Sequence, residues 1–335
     1  MHKADRTRRH RKERRVEAVL GIDIAKTKFQ CALLGTDGKI RHKSCGNTPA
    51  GFAELAAWLQ RQRVGRVHAC LEATGTYGEA LATWLHEAGH VVSVVNPAII
   101  HAYARTQLTR AKTDRLDADL IAHFTATQRP PAWTPPAPEI RQLQALVRRL
   151  DALHGMRTQE ANRLAAGVVV ADVRASIDTV MASLDAQIAH VQQLIREHLD
   201  RHPGLRAQRD LLTTIPGIGE TTAAVLIAEL FDKPYTSARQ AAAFAGLVPR
   251  ICESGTLRGR PRLSKIGPGR LRKALYFPAV AALRWNPTIR AVRERLHAAG
   301  KPPMVIIGAA MRKLIHLAYG VLKSGKAYAP TCAHP

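Results

Sequence analysis

The sequence has no run of eighteen or more apolar residues and no signal-like apolar segment after its start, so neither a membrane span nor an exported protein is expected. Paired cysteines are missing as well. Cys31, Cys45, Cys70, Cys252 and Cys332 are odd in number and scattered, without C-x-x-C spacing. That argues against a disulfide framework or a zinc site and for a reducing, cytoplasmic setting. Acid is the largest deficit: 26 Asp and Glu face 50 Lys and Arg, a formal charge of +24 over 335 residues. Such a surplus asks for a polyanion, and nucleic acid is the leading candidate. Residues 1–15 alone hold eight Lys or Arg and read as a disordered basic arm, either contacting phosphates or simply solvated.

From residue 17 the pattern turns to apolar runs. V-L-G-I-D-I at 19–24, F-Q-C-A-L-L at 29–34 and an extended piece at 39–44 are joined by short connections, the pattern of a three-stranded antiparallel meander. Thr48 and Pro49 open a helix with Phe52, Leu55, Ala56 and Leu59 on its apolar stripe. A strand at 67–71, a helix at about 77–88 ending before Gly89, a strand at 91–95 closed by Asn96 and Pro97, and a helix at about 113–127 follow. This order predicts an α/β domain with a mixed sheet and helices on its faces, the layout of an RNase H-like fold. The five prolines of 129–138 mark a boundary. Beyond them, leucines at 143, 146, 150 and 153 and apolar residues at 180, 184, 188, 191 and 195 predict two long helices, an antiparallel coiled coil, with Gly155 and the valines at 168–170 interrupting the pattern. The domains expected are a basic arm at 1–15, an α/β domain at 16–130, a Pro-rich linker and coiled-coil helices at 131–202, a mainly helical domain at 203–325, and a tail at 326–335.

Asp23 lies inside an apolar strand, where a lone carboxylate must be desolvated and is rare. Glu72 follows a strand directly, beside a glycine-rich turn. On the expected sheet the first and fourth strands are neighbours, which brings these two carboxylates together. Asp114 and Asp117, three residues apart in K-T-D-R-L-D-A-D, share a helix face. Four converging carboxylates repel unless cations bridge them, and Mg²⁺ favours such oxygen ligands. Two ions roughly 4 Å apart clamp the attacking and leaving oxygens of a phosphodiester. The competing reading has Asp114 capping its helix and Asp117 solvated in the first turn.

In the second half, T-I-P-G-I-G-E at 214–220 opens an apolar helix. It resembles a helix-hairpin-helix, in which Gly217, Gly219 and the helix N-terminus offer backbone N–H groups to a DNA phosphate; a plain helix-helix turn is the alternative. The stretch 246–276 is rich in Gly, Pro and cations, with Arg250, Arg258, Arg260, Arg262, Lys265, Arg270, Arg272 and Lys273. It reads as a loop wrapping a phosphate backbone. Ser254, between Glu253 and Gly255, stands among guanidinium groups able to stabilise a phosphorane-like transition state, although no base is evident.

Asp23, Glu72, the K-T-D-x-x-D-A piece at 112–118, I-P-G-I-G and S-G-x-x-x-G-R occur in this order, and the chain from 19 to about 319 resembles the DEDD transposases of insertion sequences related to the Piv invertase. This is the insertion-sequence one-ten group of bridge-RNA-guided recombinases. The resemblance implies a RuvC-like domain with Asp23, Glu72, Asp114 and Asp117 as the metal-binding DEDD set, a coiled-coil insertion, and a C-terminal transposase domain. Ser254 then matches the family nucleophile, with Ser264 in reserve. It implies phosphoserine links, DNA as substrate (element ends and target), a noncoding guide RNA, and a homo-dimer or tetramer. A RuvC-like nuclease acting by hydrolysis and a non-enzymatic nucleic-acid-binding protein are the competing readings.

Overall fold

The structure, a computed structural model, describes residues 18–73, 75–107, 113–167, 170–250, 253–254, 257–258 and 262–330. The basic arm, Arg260 and the last five residues lie outside this set. Two compact units divide between Pro135 and Pro136.

The first unit is built on five strands: β1 (Ala18–Ile24), β2 (Lys28–Leu34), β3 (Ile40–Gly46), β4 (Val67–Glu72) and β5 (Val91–Val95). Their order is β3-β2-β1-β4-β5, with β1, β2 and β3 antiparallel and β4 and β5 parallel to β1. This mixed sheet is compatible with the RNase H-like expectation. Helices α1 (Pro49–Arg61), α2 (Glu79–Glu87), α3 (Pro97–Thr106) and α4 (Asp114–Gln128) complete the unit. Leu20, Ile22, Leu55, Leu59, Leu81 and Leu85 fill one core. On the other face, α4 packs on β1 and β2 through Ala118, Ala122 and Ala32.

Helix α3 is absent from the sequence expectation, which took Asn96-Pro97 as the end of a strand. The same pair starts a helix: the Asn96 side chain accepts from Ala98 N at 2.9 Å, and Pro97 sits where its missing N–H costs nothing. After α4 the Pro-rich segment is tied back to β5. Ser93, fully buried, has its Oγ 2.8 Å from the Pro131 carbonyl and 2.8 Å from His68 Nε2, and Trp133 N donates to Val92 O.

The second unit is helical: α5 (Pro138–Ala165), α6 (Ala171–Arg201), α7 (Pro203–Thr213), α8 (Glu220–Glu229), α9 (Ala238–Phe244), α10 (Gly269–Trp285), α11 (Pro287–Ala298) and α12 (Pro303–Ser324). Gly155 does not interrupt α5, whose ladder continues past it. Arg157 pairs with Asp185 and His198 meets the Glu139 carbonyl, so α5 and α6 run in opposite directions. Leu143, Val147, Leu150, Ile188, Val191 and Leu199 of this hairpin share one core with α7 to α12. By length and composition α12 is apolar enough to cross a membrane, which the sequence reading did not anticipate; it carries Arg312 and Lys313 midway, and Ala310, Leu314, Ile315 and Ala318 are buried in the helical core. The stretch expected as a basic loop contains four short strands instead. β6 (Pro249–Arg250) pairs with β9 (Arg262–Leu263), and β7 (Glu253–Ser254) with β8 (Leu257–Arg258).

Gly21 governs the approach of α4. A Cβ there would lie 2.2 Å from the Ala118 carbonyl oxygen and 2.3 Å from Ala122 N, both backbone atoms that cannot yield without moving the helix. Gly21→Val is therefore expected to destabilise the first unit by about 3 kcal/mol, the upper part of the usual overpacking range; a denaturant midpoint equal to wild type would contradict this contact. A second outcome concerns pH. Burial holds the imidazoles of His68 and His90 below their ordinary 6.5, and Arg66 adds to the effect at His90. With folded values depressed, their contribution to stability is intact above pH 6.5 and is lost as pH falls through the folded values. Thermal midpoints should drop between pH 7.5 and 5.5, and His68→Gln should flatten that dependence.

Candidate active site

Asp23 and Glu72 are brought together by register. Ile22 is the parallel partner of Leu71, so Asp23 and Glu72 are the next residues at the carboxyl ends of adjacent strands. They also share a face. Gly21 lies under α4, and Cys70 packs with Ile121 and Phe124 of α4; two residues further along each strand, alternation returns Asp23 and Glu72 to that side. Both are half-buried. Burial raises the Cys70 thiol to about 11.

The first turn of α4 carries the other two carboxylates. Thr113 is the cap: its Oγ1 accepts from Leu116 N at 3.2 Å, so Asp114 is relieved of that task. Asp114 is exposed and forms an ion pair with Lys28 of β2 at 3.1 Å. Because Lys28 adjoins the Phe29–Ile24 pair, this contact places the N-terminus of α4 at the same end of the sheet as Asp23. Asp117 is half-buried and directly precedes Ala118, whose carbonyl lies over Gly21. Asp119, one step further round, is taken by His42 at 2.5 Å. Among the described residues, no three His, Cys, Asp or Glu side chains stand close enough to hold a metal ion together. The donor chemistry suits a hard cation, and one of the four candidates is held by a lysine.

In the second unit, Ser254 is exposed on β7, opposite Leu257. Ser264 is half-buried and its backbone N–H donates to Val248 O. Arg250, Arg262 and Lys265 are exposed, while Arg258 is described only by its strand position. Lys265 adopts a left-handed backbone, φ 55°. Arg270 is placed differently from its neighbours in sequence. Its guanidinium meets Glu229 at 3.0 Å and Asp151 at 3.5 Å, while Arg148 takes Glu229 at 3.2 Å and Lys273 takes Asp151 at 2.6 Å. These five side chains clasp α5, α8 and α10. Burial pushes the Asp151 carboxyl up, but Lys273 and Arg270 outweigh it and hold the group below the usual range. Arg272 donates to the carbonyls of Ala245 and Gly267. The sequence reading missed this clasp because its partners are far apart in the chain.

The glycine turn is locked onto α10. Gly217 has φ 104°, and a Cβ there would lie 2.8 Å from Ala282 Cβ and 2.9 Å from the Pro278 carbonyl. Asn286, fully buried, donates to Pro216 O. Gly219, at the start of α8, is exposed.

Known proteins match the chain in two stretches. Residues 20–170 match the DEDD transposase model of the IS110 type, and residues 209–294 match the transposase IS116/IS110/IS902 family. The chain is 33% identical over 314 residues to the pilin gene-inverting protein of Moraxella bovis, covering 92% of this chain and 97% of that one. The chain belongs to the IS110 family of transposases. It is also similar to a probable family 20 transposase of Pseudomonas aeruginosa, 28% identical over 302 residues, covering 79% and 84% of the two chains. The transposase of insertion element IS1328 from Yersinia enterocolitica is 28% identical over 224 residues, covering 58% and 65%. This IS110-family protein is thus an enzyme of DNA recombination or transposition, with DNA as its substrate.

The clasp ties down Arg148, Arg270 and Lys273, whereas Arg250, Arg262 and Lys265 face solvent. Each lost phosphate contact should reduce the salt dependence of duplex binding by about 0.9 in slope. Arg262→Ala is expected to show that reduction at unchanged stability. Arg270→Ala should instead lower the unfolding midpoint and keep the wild-type slope; the reverse pattern would return Arg270 to the DNA-binding surface.

Proposed function

We propose that this IS110-family enzyme cuts and rejoins DNA with Asp23, Glu72, Asp114 and Asp117 as metal-binding residues of a RuvC-like unit and Ser254 as nucleophile, guided by a noncoding RNA and working as a homo-dimer or tetramer. The observation that carries the proposal is the register of Asp23 beside Glu72, on the sheet face packed by α4 and at the end where α4 begins. Carboxylates on adjacent strand ends offer oxygen donors of the kind that a hard divalent cation takes. Mg²⁺ bound there would neutralise charge developing on a phosphodiester and activate the attacking oxygen. Asp117 follows from the close packing at Gly21, and Asp114 would join once released from Lys28.

The second unit supplies the remaining steps. The backbone N–H groups at Gly219 and the α8 N-terminus take a phosphate and set the strand's position without reading sequence. Exposed Arg250 and Arg262 add sequence-independent affinity. Ser254 Oγ attacks phosphorus as the P–O bond to one strand end breaks, its proton passing to the leaving oxygen and a phosphoserine link forming; attack by the hydroxyl of another strand then breaks that link, and the hydroxyl proton returns to Ser254 Oγ. Its exposure on a short paired arm suits a nucleophile that must reach a bulky backbone. The RNA and the assembly rest on the family resemblance alone.

The test is a search for a covalent protein–DNA adduct with Mg²⁺, the flanking transcript and end-joined element DNA, read after denaturation. Wild type should form an adduct that Ser254→Ala lacks. Asp23→Ala and Asp117→Ala should lose strand exchange while retaining most DNA binding. Cleavage without an adduct in both wild type and Ser254→Ala would replace the serine mechanism with hydrolysis, and normal exchange in Asp23→Ala would remove the carboxylate site.

A further inference from the structure

Helix α10 wears its apolar surface on the outside. Leu271, Leu275, Ala279 and Ala282 face the core and are fully buried. Away from that stripe Phe277 is 77% exposed and Val280 41%, and Trp285, the last residue of the helix, is 66% exposed. Stripping water from two such rings is worth several times the burial of an ordinary surface side chain, so leaving them in solvent calls for a partner.

The surroundings indicate what that partner is. Arg284 stacks over the Trp285 ring at 4.9 Å, putting a guanidinium at one end of the stripe. Residues 254–335 hold sixteen Lys or Arg and a single acid, Glu294. A second copy of this face would meet like charge with like charge, whereas a polyanion is complementary. The position points the same way. Pro278 and Ala282, against which Gly217 is packed, are the immediate helical neighbours of Phe277 and Trp285. The glycine turn is thus seated on the helix that carries the exposed rings, one turn before Trp285.

We propose that Phe277 and Trp285 form a stacking platform for unpaired bases of single-stranded DNA, whose backbone phosphate is held by the neighbouring glycine turn. This rests on the recombinase reading given above and specifies the form of DNA bound. In an intact duplex each base face is hidden in the stack, so rings on a protein surface gain little from it. A strand opened during cleavage and exchange offers free faces, and aromatic rings with an adjacent guanidinium accept any base. The two rings are eight residues apart, about 12 Å along the helix, too far for two bases stacked at about 3.4 Å. The platform therefore suits a splayed strand.

Fluorescence anisotropy on the full chain tests this with one labelled sequence supplied as single-stranded DNA, as duplex DNA and as single-stranded RNA. Phe277→Ala/Trp285→Ala should weaken single-stranded DNA binding by at least about 10-fold, given the usual contribution of a stacked base, and change duplex binding by less than about 3-fold. Phe277→Tyr/Trp285→Phe should restore single-strand affinity, which a role in folding or charge alone would not predict. An equal loss on duplex, no loss on single strands, or a loss confined to RNA overturns the platform. So does a fall in molecular mass by light scattering in the double alanine variant, which would make the face a contact between copies. If wild type binds duplex normally and only the single-strand effect is missing, this inference fails alone; if wild type binds no DNA, the recombinase reading fails with it.

Discussion

The contact of α4 with β1 at Gly21 is the constraint on which the candidate site depends. A helix normally rides on a sheet through side chains, which hold its axis about 10 Å away. At Gly21 no side chain intervenes, and the Ala118 carbonyl and Ala122 nitrogen come down to where a Cβ would stand. Alanines at 32, 118 and 122 keep the surrounding layer thin. The depth and register of α4 are therefore set by backbone, and with them the place of its first turn. Asp117 is half-buried because its helix has sunk onto the strand that carries Asp23. A bulkier layer would leave the same four acids in the sequence and lift one pair away from the other.

Much of the first unit was legible because its strands are short apolar runs with clear breaks, and a carboxylate within such a run stands out. The register of Asp23 with Glu72 could be anticipated from element order alone, since two residues at the ends of neighbouring parallel strands must meet. What was not legible depended on context. Asn96-Pro97 serves equally as a strand end or a helix start, and only the hydrogen bond from Ala98 N to the Asn96 side chain decides between them. The arm around Ser254 has strands of two residues, below any period that hydrophobicity could reveal. Arg270 looked like its neighbours because Glu229 and Asp151, which hold it, lie 41 and 119 positions away. The exposed rings on α10 ran against the usual amphipathic rule, which assigns aromatics to the core.

Nearness at the start of α4 did not by itself give the acids a common role. Asp114 lies against Lys28, Asp117 is half-buried over the sheet, and Asp119 is held by His42. Asp119 is thereby committed to fixing the helix to β3. Asp114, in a pair with both side chains largely in solvent, is held by an interaction worth little, and a cation would compete for it at small cost.

The helical unit treats charge in a complementary way. Its acids near α10 are turned inward, with Glu229 and Asp151 absorbing Arg148, Arg270 and Lys273 between three helices. Carboxylates paired in this way subtract less from the positive field of the unit, which attracts a DNA substrate. Arg250 and Arg262 on the paired arm and Arg284 over its tryptophan face solvent. The surplus of positive charge is thus a property of where the acids have gone. The acids of the clasp thus keep three helices together, with their own charge answered by Arg148, Arg270 and Lys273.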